Sequence, residues 1–338
     1  MTDLLTTLLS ERDWLLADGA TGTNLFAAGL EAGEAPELWN VDAPEKIRAL
    51  HDGFIEAGSD LILTNSFGGT RYRLKLHNAE DRVYELNKRA AEIARKAVEA
   101  SGRQVVVAGS MGPTGELLEP VGALSMEDAV AAFEEQAKGL IDGGADVLWA
   151  ETISSEEEIR AAAQAAANLD APFCGTLSFD TAGRTMMGVT SASYAEMSQE
   201  LPATPIAFGA NCGVGASDLL RTVLGMNQTA PGAVLIAKAN AGIPTYVDGK
   251  IEYDGTPELM AQYARLARRS GARIIGGCCG TMPVHLVAMR AALEEGDFEA
   301  PPALDEIEAQ TGGFSSADDG LGGAGAAPKR ERRGRRRG

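Results

Sequence analysis

The chain has little of what many catalytic and binding sites depend on. Its 338 residues include three histidines and four cysteines, and aromatic residues make up 5% of the total. So few histidines give no imidazole-rich metal site and make a Ser-His-Asp triad hard to assemble. His51 and His77 lie in polar helical surroundings and His285 follows a cysteine pair, so all three are read as structural. Four cysteines in so long a chain do not make a disulfide framework, and a reducing compartment would keep them as thiols. No stretch reaches the ~18 apolar residues needed to span a bilayer, and Met1 to Ser10 lack a basic segment followed by an apolar core, so a cytoplasmic protein without membrane contact is expected. Positive charge is also scarce. The net charge is −18, yet the last ten residues hold seven basic side chains and one acidic, a charge of +6 that leaves −24 on the rest. A body that acidic argues against nucleic-acid binding, except through the Arg-rich tail from Lys329 to Gly338.

What the chain does have is a regular alternation. Hydrophobic residues make up 45%, enough for a large core, and ~250 residues is typical of one (β/α)8 barrel. Eight apolar, strand-like runs are expected: 14–20, 60–67, 105–112, 147–153, 172–179, 207–212, 233–240 and 273–280. Between them lie helical periodicities over 44–57, 81–100, 126–143, 155–167, 218–226 and 257–270. Continuous rather than alternating hydrophobicity implies burial on both faces, as in a parallel sheet covered by helices. The expected fold is therefore α/β, a (β/α)8 TIM barrel, with a doubly wound open sheet as the competitor, since counting elements does not close a barrel. The alternation stops at about Pro301, and Gly320 to Ala327 is nearly all glycine and alanine. Residues 1–300 are expected to form the single domain and 301–338 a low-complexity, disordered tail, so that truncation after Gly312 should spare the fold.

Chemistry in a barrel gathers at the carboxyl ends of its strands. Those ends present Asp18, Asn65, Glu151, Ser178, Asn211-Cys212, Asn240 and Cys278-Cys279. Adjacent side chains on a strand point to opposite faces, so Cys278 and Cys279 can converge on one ion only past the strand end, where Gly276, Gly277 and Gly280 let the backbone turn. Together with Cys212 they make three thiols at two strand ends. Three thiolates with one vacant position suit zinc of the catalytic kind, and a thiol substrate could fill the vacancy. Spacing alone leaves core or redox thiols open, and Cys174, inside the fifth run, is read as core. Gly19, Ala20, Thr21 and Thr23 form either an anion nest for a substrate carboxylate or an ordinary βα turn. Asp18 is either a carboxylate for a substrate cation or a turn former.

These stretches resemble the homocysteine S-methyltransferase family, which includes the homocysteine-binding module of cobalamin-dependent methionine synthase and betaine–homocysteine methyltransferase. The likeness runs from about Asp18 to about Leu293. It is carried by Asp18-Gly19-Ala20-Thr21-Gly22-Thr23, Thr64-Asn65-Ser66-Phe67, Gly112-Pro113-Thr114-Gly115, Glu151-Thr152, Gly209-Ala210-Asn211-Cys212, Asn240-Ala241-Gly242-Ile243-Pro244 and Gly276 to Thr281. The resemblance implies a (β/α)8 barrel, one zinc per chain on Cys212, Cys278 and Cys279, and formation of methionine by a homocysteine thiolate. It assigns the substrate ammonium to Glu151, with Asp18 as a second candidate, and places Asn211 and Asn240 beside the substrate. Asn240 would hold the open zinc position or support the ligands.

The resemblance also frames the methyl donor. Gly68 and Thr152 stand where the animal betaine enzymes have tyrosines, and betaine needs aromatic faces for its quaternary ammonium. In these stretches the sequence is closer to the cobalamin-dependent enzymes, although residues 301–338 are not expected to form a folate- or cobalamin-binding domain. The expected donor is a methylated corrinoid carried by a partner protein in a split methionine synthase system, or betaine. The alternatives are a small sulfonium such as S-methylmethionine, or a zinc- and thiol-binding protein without turnover.

Overall fold

A computed structural model describes residues 3–242, 244–247, 250–296, 298 and 300–317, with backbone alone at 244–247 and 250–252. The Arg-rich end, and with it the one route to nucleic acid left open above, lies outside the described residues. The strands in chain order are β1 (Leu15–Leu16), β2 (Leu61–Leu63), β3 (Val106–Met111), β4 (Val147–Ile153), β5 (Phe173–Leu177), β6 (Ala207–Cys212), β7 (Leu235–Ala239), β8 (Pro244–Val247), β9 (Lys250–Tyr253) and β10 (Ala272–Gly277). Eight of them pair in the order β1-β10-β7-β6-β5-β4-β3-β2, and every pairing recorded within that sheet is parallel. A parallel bridge from Ala17 to Leu61 joins the two outer strands. The sheet is thus a closed (β/α)8 barrel, and the open doubly wound alternative is excluded.

The continuous apolar runs have the burial they imply. All six residues of β3 and all five of β7 are buried. Their side chains alternate between two cores. Leu15, Ala17, Leu61, Leu63, Val106, Ala108, Trp149, Cys174, Ile236 and Ile274 fill the barrel interior. The other set packs under the helices, where the alanines of Glu156–Asn168 allow a close approach to the sheet. The helix starts legible in the sequence carry real caps: Ser155 accepts the Glu158 N–H, and Thr256, just before Pro257, accepts that of Leu259.

Three features depart from the expectation. The first is a helix, Leu4–Glu11, capped by Asp3, whose Leu5, Leu8 and Leu9 join the interior core and stopper the amino-terminal end of the barrel. The second is the antiparallel hairpin of β8 and β9, inserted between β7 and the helix Pro257–Arg269. The third lies past residue 300, where the helix Leu304–Thr311 buries Ile307 and contacts with the barrel helices continue to Ser316. Arg269 pairs with Glu306 in that helix, the Arg221 guanidinium lies 4.5 Å from the Phe314 ring centroid, and the Ser315 N–H donates to Asp218 at 2.9 Å. One buried isoleucine in eight residues is too little periodicity to be seen in the sequence. Among the described residues no helix is long and apolar enough to cross a membrane.

Candidate metal centre and substrate site

Cys212 closes β6, and Cys278 and Cys279 follow the end of β10 at Gly277, so the pair does lie beyond the regular strand. Cys212 turns with a left-handed backbone, φ 62°, and Gly280 with φ 79°. The three Sγ atoms lie within 4.8 Å of one another, and those of Cys212 and Cys279 are 4.0 Å apart. Tetrahedral zinc with Zn–S bonds of ~2.3 Å places its sulfurs ~3.8 Å apart, so the cluster fits such an ion with small adjustments. The hydrogen bond with Cys278, together with burial, pushes the Cys212 thiol up to about 12, and contact with Cys212 helps push Cys279 up to about 11. Thiols that hold their protons this firmly need a cation before they act as thiolates.

Two asparagines set this geometry. The Asn240 amide oxygen accepts the Cys279 N–H at 3.0 Å, and its nitrogen donates to the Gly213 carbonyl at 2.8 Å, tying the two cysteine loops together. Asn211 accepts the Thr152 N–H at 2.8 Å and donates to the Thr152 hydroxyl at 2.7 Å, with its nitrogen 3.7 Å from the Cys278 sulfur. Thr23 accepts the Gly280 N–H at 3.2 Å, which docks the turn after β1 on the cysteine loop. Gly19 is needed there because a Cβ would lie 2.6 Å from the Thr281 carbonyl oxygen. The Ala20 N–H is taken by that same carbonyl, whereas Thr21 and Thr23 open the short helix Thr21–Ala27, whose first-turn N–H groups have no intrahelical acceptor.

Beneath the thiols lies a layer of charge. Asp18, 1% exposed, accepts the Leu63 N–H at 2.7 Å with one oxygen and the Lys238 ammonium at 2.6 Å with the other. Glu151, near the end of β4, accepts a hydrogen bond from the Ser110 hydroxyl. Burial raises its carboxyl above the usual range, Lys238 and Ser110 pull it down, and Asp18 pushes it up again. Burial opposes the charge on Lys238 too, but Asp18 and Glu151 outweigh it and hold the ammonium above its ordinary pKa. Cys174 is in the interior core as expected, its thiol pushed up to about 12 by burial and inert.

Lys238, Ser110 and Tyr253 escaped the sequence reading. The Tyr253 ring lies over Gly280, where a Cβ would be 2.4 Å from it, and its hydroxyl bonds to Cys279. A lone lysine in the apolar run of β7 was the one signal available, because lysine is almost never fully buried without a partner.

The model of the Homocysteine S-methyltransferase family matches residues 15–293. The chain belongs to that family. The metallated form of the homocysteine methyltransferase MmuM from Escherichia coli is 27% identical, with a TM-score of 0.72 over 86% of this chain and 99% of that one. The apo form of the same protein gives 26% identity and a TM-score of 0.68, over 86% of this chain and 100% of that one. As a homocysteine S-methyltransferase, the chain is a methyltransferase with the barrel fold, and its three cysteines form a group that can hold a metal ion.

Proposed function

We propose that this homocysteine S-methyltransferase forms methionine and that Cys212, Cys278 and Cys279 hold one zinc ion. The observation that carries the reading is the convergence of these three thiols, with Glu151 close enough to act on the Cys278 sulfur. Bound zinc would lower the pKa of a fourth thiol that shares it, which is the chemistry it supplies. Glu151 binds the homocysteine ammonium, the first turn after Ala20 receives the carboxylate, and Asn240 and Asn211 hold the two cysteine loops together. The substrate sulfur, having given up its proton to solvent at the open mouth, forms a bond to the donor's methyl carbon. The bond from methyl to donor breaks, and its electron pair leaves with the donor.

For the donor, a methylated corrinoid on a partner protein is the first reading. It is supported by exposed apolar side chains in the loops that follow the strands at the mouth: Phe67, Leu117, Val121, Met186, Met187 and Met282. Such a collar suits a large partner. A second reading, a small sulfonium such as S-methylmethionine, draws support from Tyr253, an aromatic ring against Gly280 in the cysteine loop, since such rings attract cations. Neither Gly68 nor Thr152 offers a ring for betaine. Purified protein with zinc, homocysteine and each donor in turn decides the matter. Methionine from methylated corrinoid protein alone supports the first reading, methionine from S-methylmethionine the second, and fast turnover of betaine overturns both.

A further inference from the structure

The mechanism above leaves unused a buried charged group that borders the site. Lys238 stands on β7 in register with Asn211 of β6 and Gly276 of β10, and it is 2% exposed. A buried ammonium of this kind persists only where anions and hydrogen bonds offset its lost hydration. Asp18, 2.6 Å away, is one such anion, and Glu151 and the Cys278 sulfur act on the ammonium as well. The Trp149 ring centroid is 5.9 Å from the ammonium, and Trp149 precedes Glu151 by two residues on the same face of β4. Asp18 has both oxygens committed, one to Lys238 and one to the Leu63 backbone. Glu151 accepts from Ser110 and keeps capacity for a further cation. Two carboxylates in one poorly hydrated pocket do not both ionise unless a cation sits with them, because each raises the other's pKa.

We propose that Lys238 is a positioning residue that keeps Glu151 ionised beside Asp18, so that the ammonium of homocysteine meets a full negative charge at the base of the site. The inference rests on the homocysteine reading of Glu151. It gives the lysine a part in substrate selection that a packing role would not have: Lys238 favours thiols that carry an amino group over those that do not.

The test is calorimetric titration of the zinc-loaded full chain with L-homocysteine and with mercaptobutyrate, the same thiol acid without its amino group. Lys238→Met keeps the aliphatic stem and removes the charge. It is expected to weaken homocysteine about tenfold or more, roughly 1.4 kcal/mol, and to leave mercaptobutyrate within about twofold. The double variant Lys238→Met/Asp18→Asn removes the like charge as well, leaves no unpaired ion, and is expected to recover homocysteine binding to within about threefold of wild type. Should Lys238→Met fail to fold, Lys238→Gln, which removes the charge and can still donate a hydrogen bond to Asp18, carries the same comparison of the two thiols. Loss of both ligands in step, loss of neither, or a double variant without recovery overturns the role of Lys238. A wild-type chain that does not distinguish the two thiols overturns the homocysteine reading itself.

Discussion

Thr152 and Cys212, at the ends of β4 and β6, share a backbone conformation that neither residue type favours, with φ of 61° and 62°. The side chain between them is that of Asn211, which binds both the N–H and the hydroxyl of Thr152. A left-handed residue other than glycine costs about 1–3 kcal/mol and persists where its surroundings enforce it. Here the enforcement brings Glu151, next to Thr152, and Cys212, next to Asn211, to one site.

Asn211→Ala should therefore destabilise the protein by about 1–3 kcal/mol, since the Thr152 N–H loses its acceptor. Urea denaturation reads the stability, and homocysteine titration should show weaker binding. An unchanged midpoint would mean that Thr152 holds its turn unaided.

Cys212→Ser, Cys278→Ser and Cys279→Ser should each bring the metal content, measured by elemental analysis, well below the one zinc per chain expected of wild type. Glu151→Gln should keep the zinc but weaken homocysteine about 10- to 100-fold, the scale of a lost hydrogen bond to a charged group. Full zinc in all three serine variants would move the metal site elsewhere.

His51 is fully buried in the helix Pro44–Glu56, and neither ring nitrogen has a partner. Burial lowers its pKa from 6.5 to about 4. The unfolded chain therefore takes up the proton first, and stability falls as the pH drops from about 6.5 towards 4, by about 2 kcal/mol at pH 5. His51→Leu should remove that component. Denaturation of both proteins at pH 5 and pH 7.5 should show the variant losing less stability on acidification, and equal losses would rule His51 out.

A chain cut after Gly312 should keep its fold but be less stable by about 1–3 kcal/mol. The cut removes the Ser315 N–H from Asp218, and the Ser316 carbonyl and the Phe314 ring from Arg221. A chain ending at Ala317 keeps these contacts and should match the full chain in thermal denaturation. If both cuts behave alike, the contacts after Gly312 contribute nothing.

The sequence made the barrel legible because strands buried on both faces leave no polar phase to blur them, and β3 and β7 are of that kind. The cysteines were legible because they close two such runs. Tyr253 was hidden in a hairpin that no barrel pattern requires. Lys238 was hidden because one polar residue in β7 looks like noise until Asp18, 220 residues away, is seen beside it. The helix Leu4–Glu11 was hidden for a different reason: its leucines serve the inside of the barrel, where the alternation of strand and helix says nothing about what closes the base.

That stopper has a kinetic consequence. With Leu5 and Leu8 filling the amino-terminal end, both reactants share the opening at the mouth. Whichever ligand reaches down to Glu151 has to be seated before the other covers it. Initial-rate patterns should therefore show compulsory order, with homocysteine first on and methionine last off, and methionine should inhibit competitively only against homocysteine.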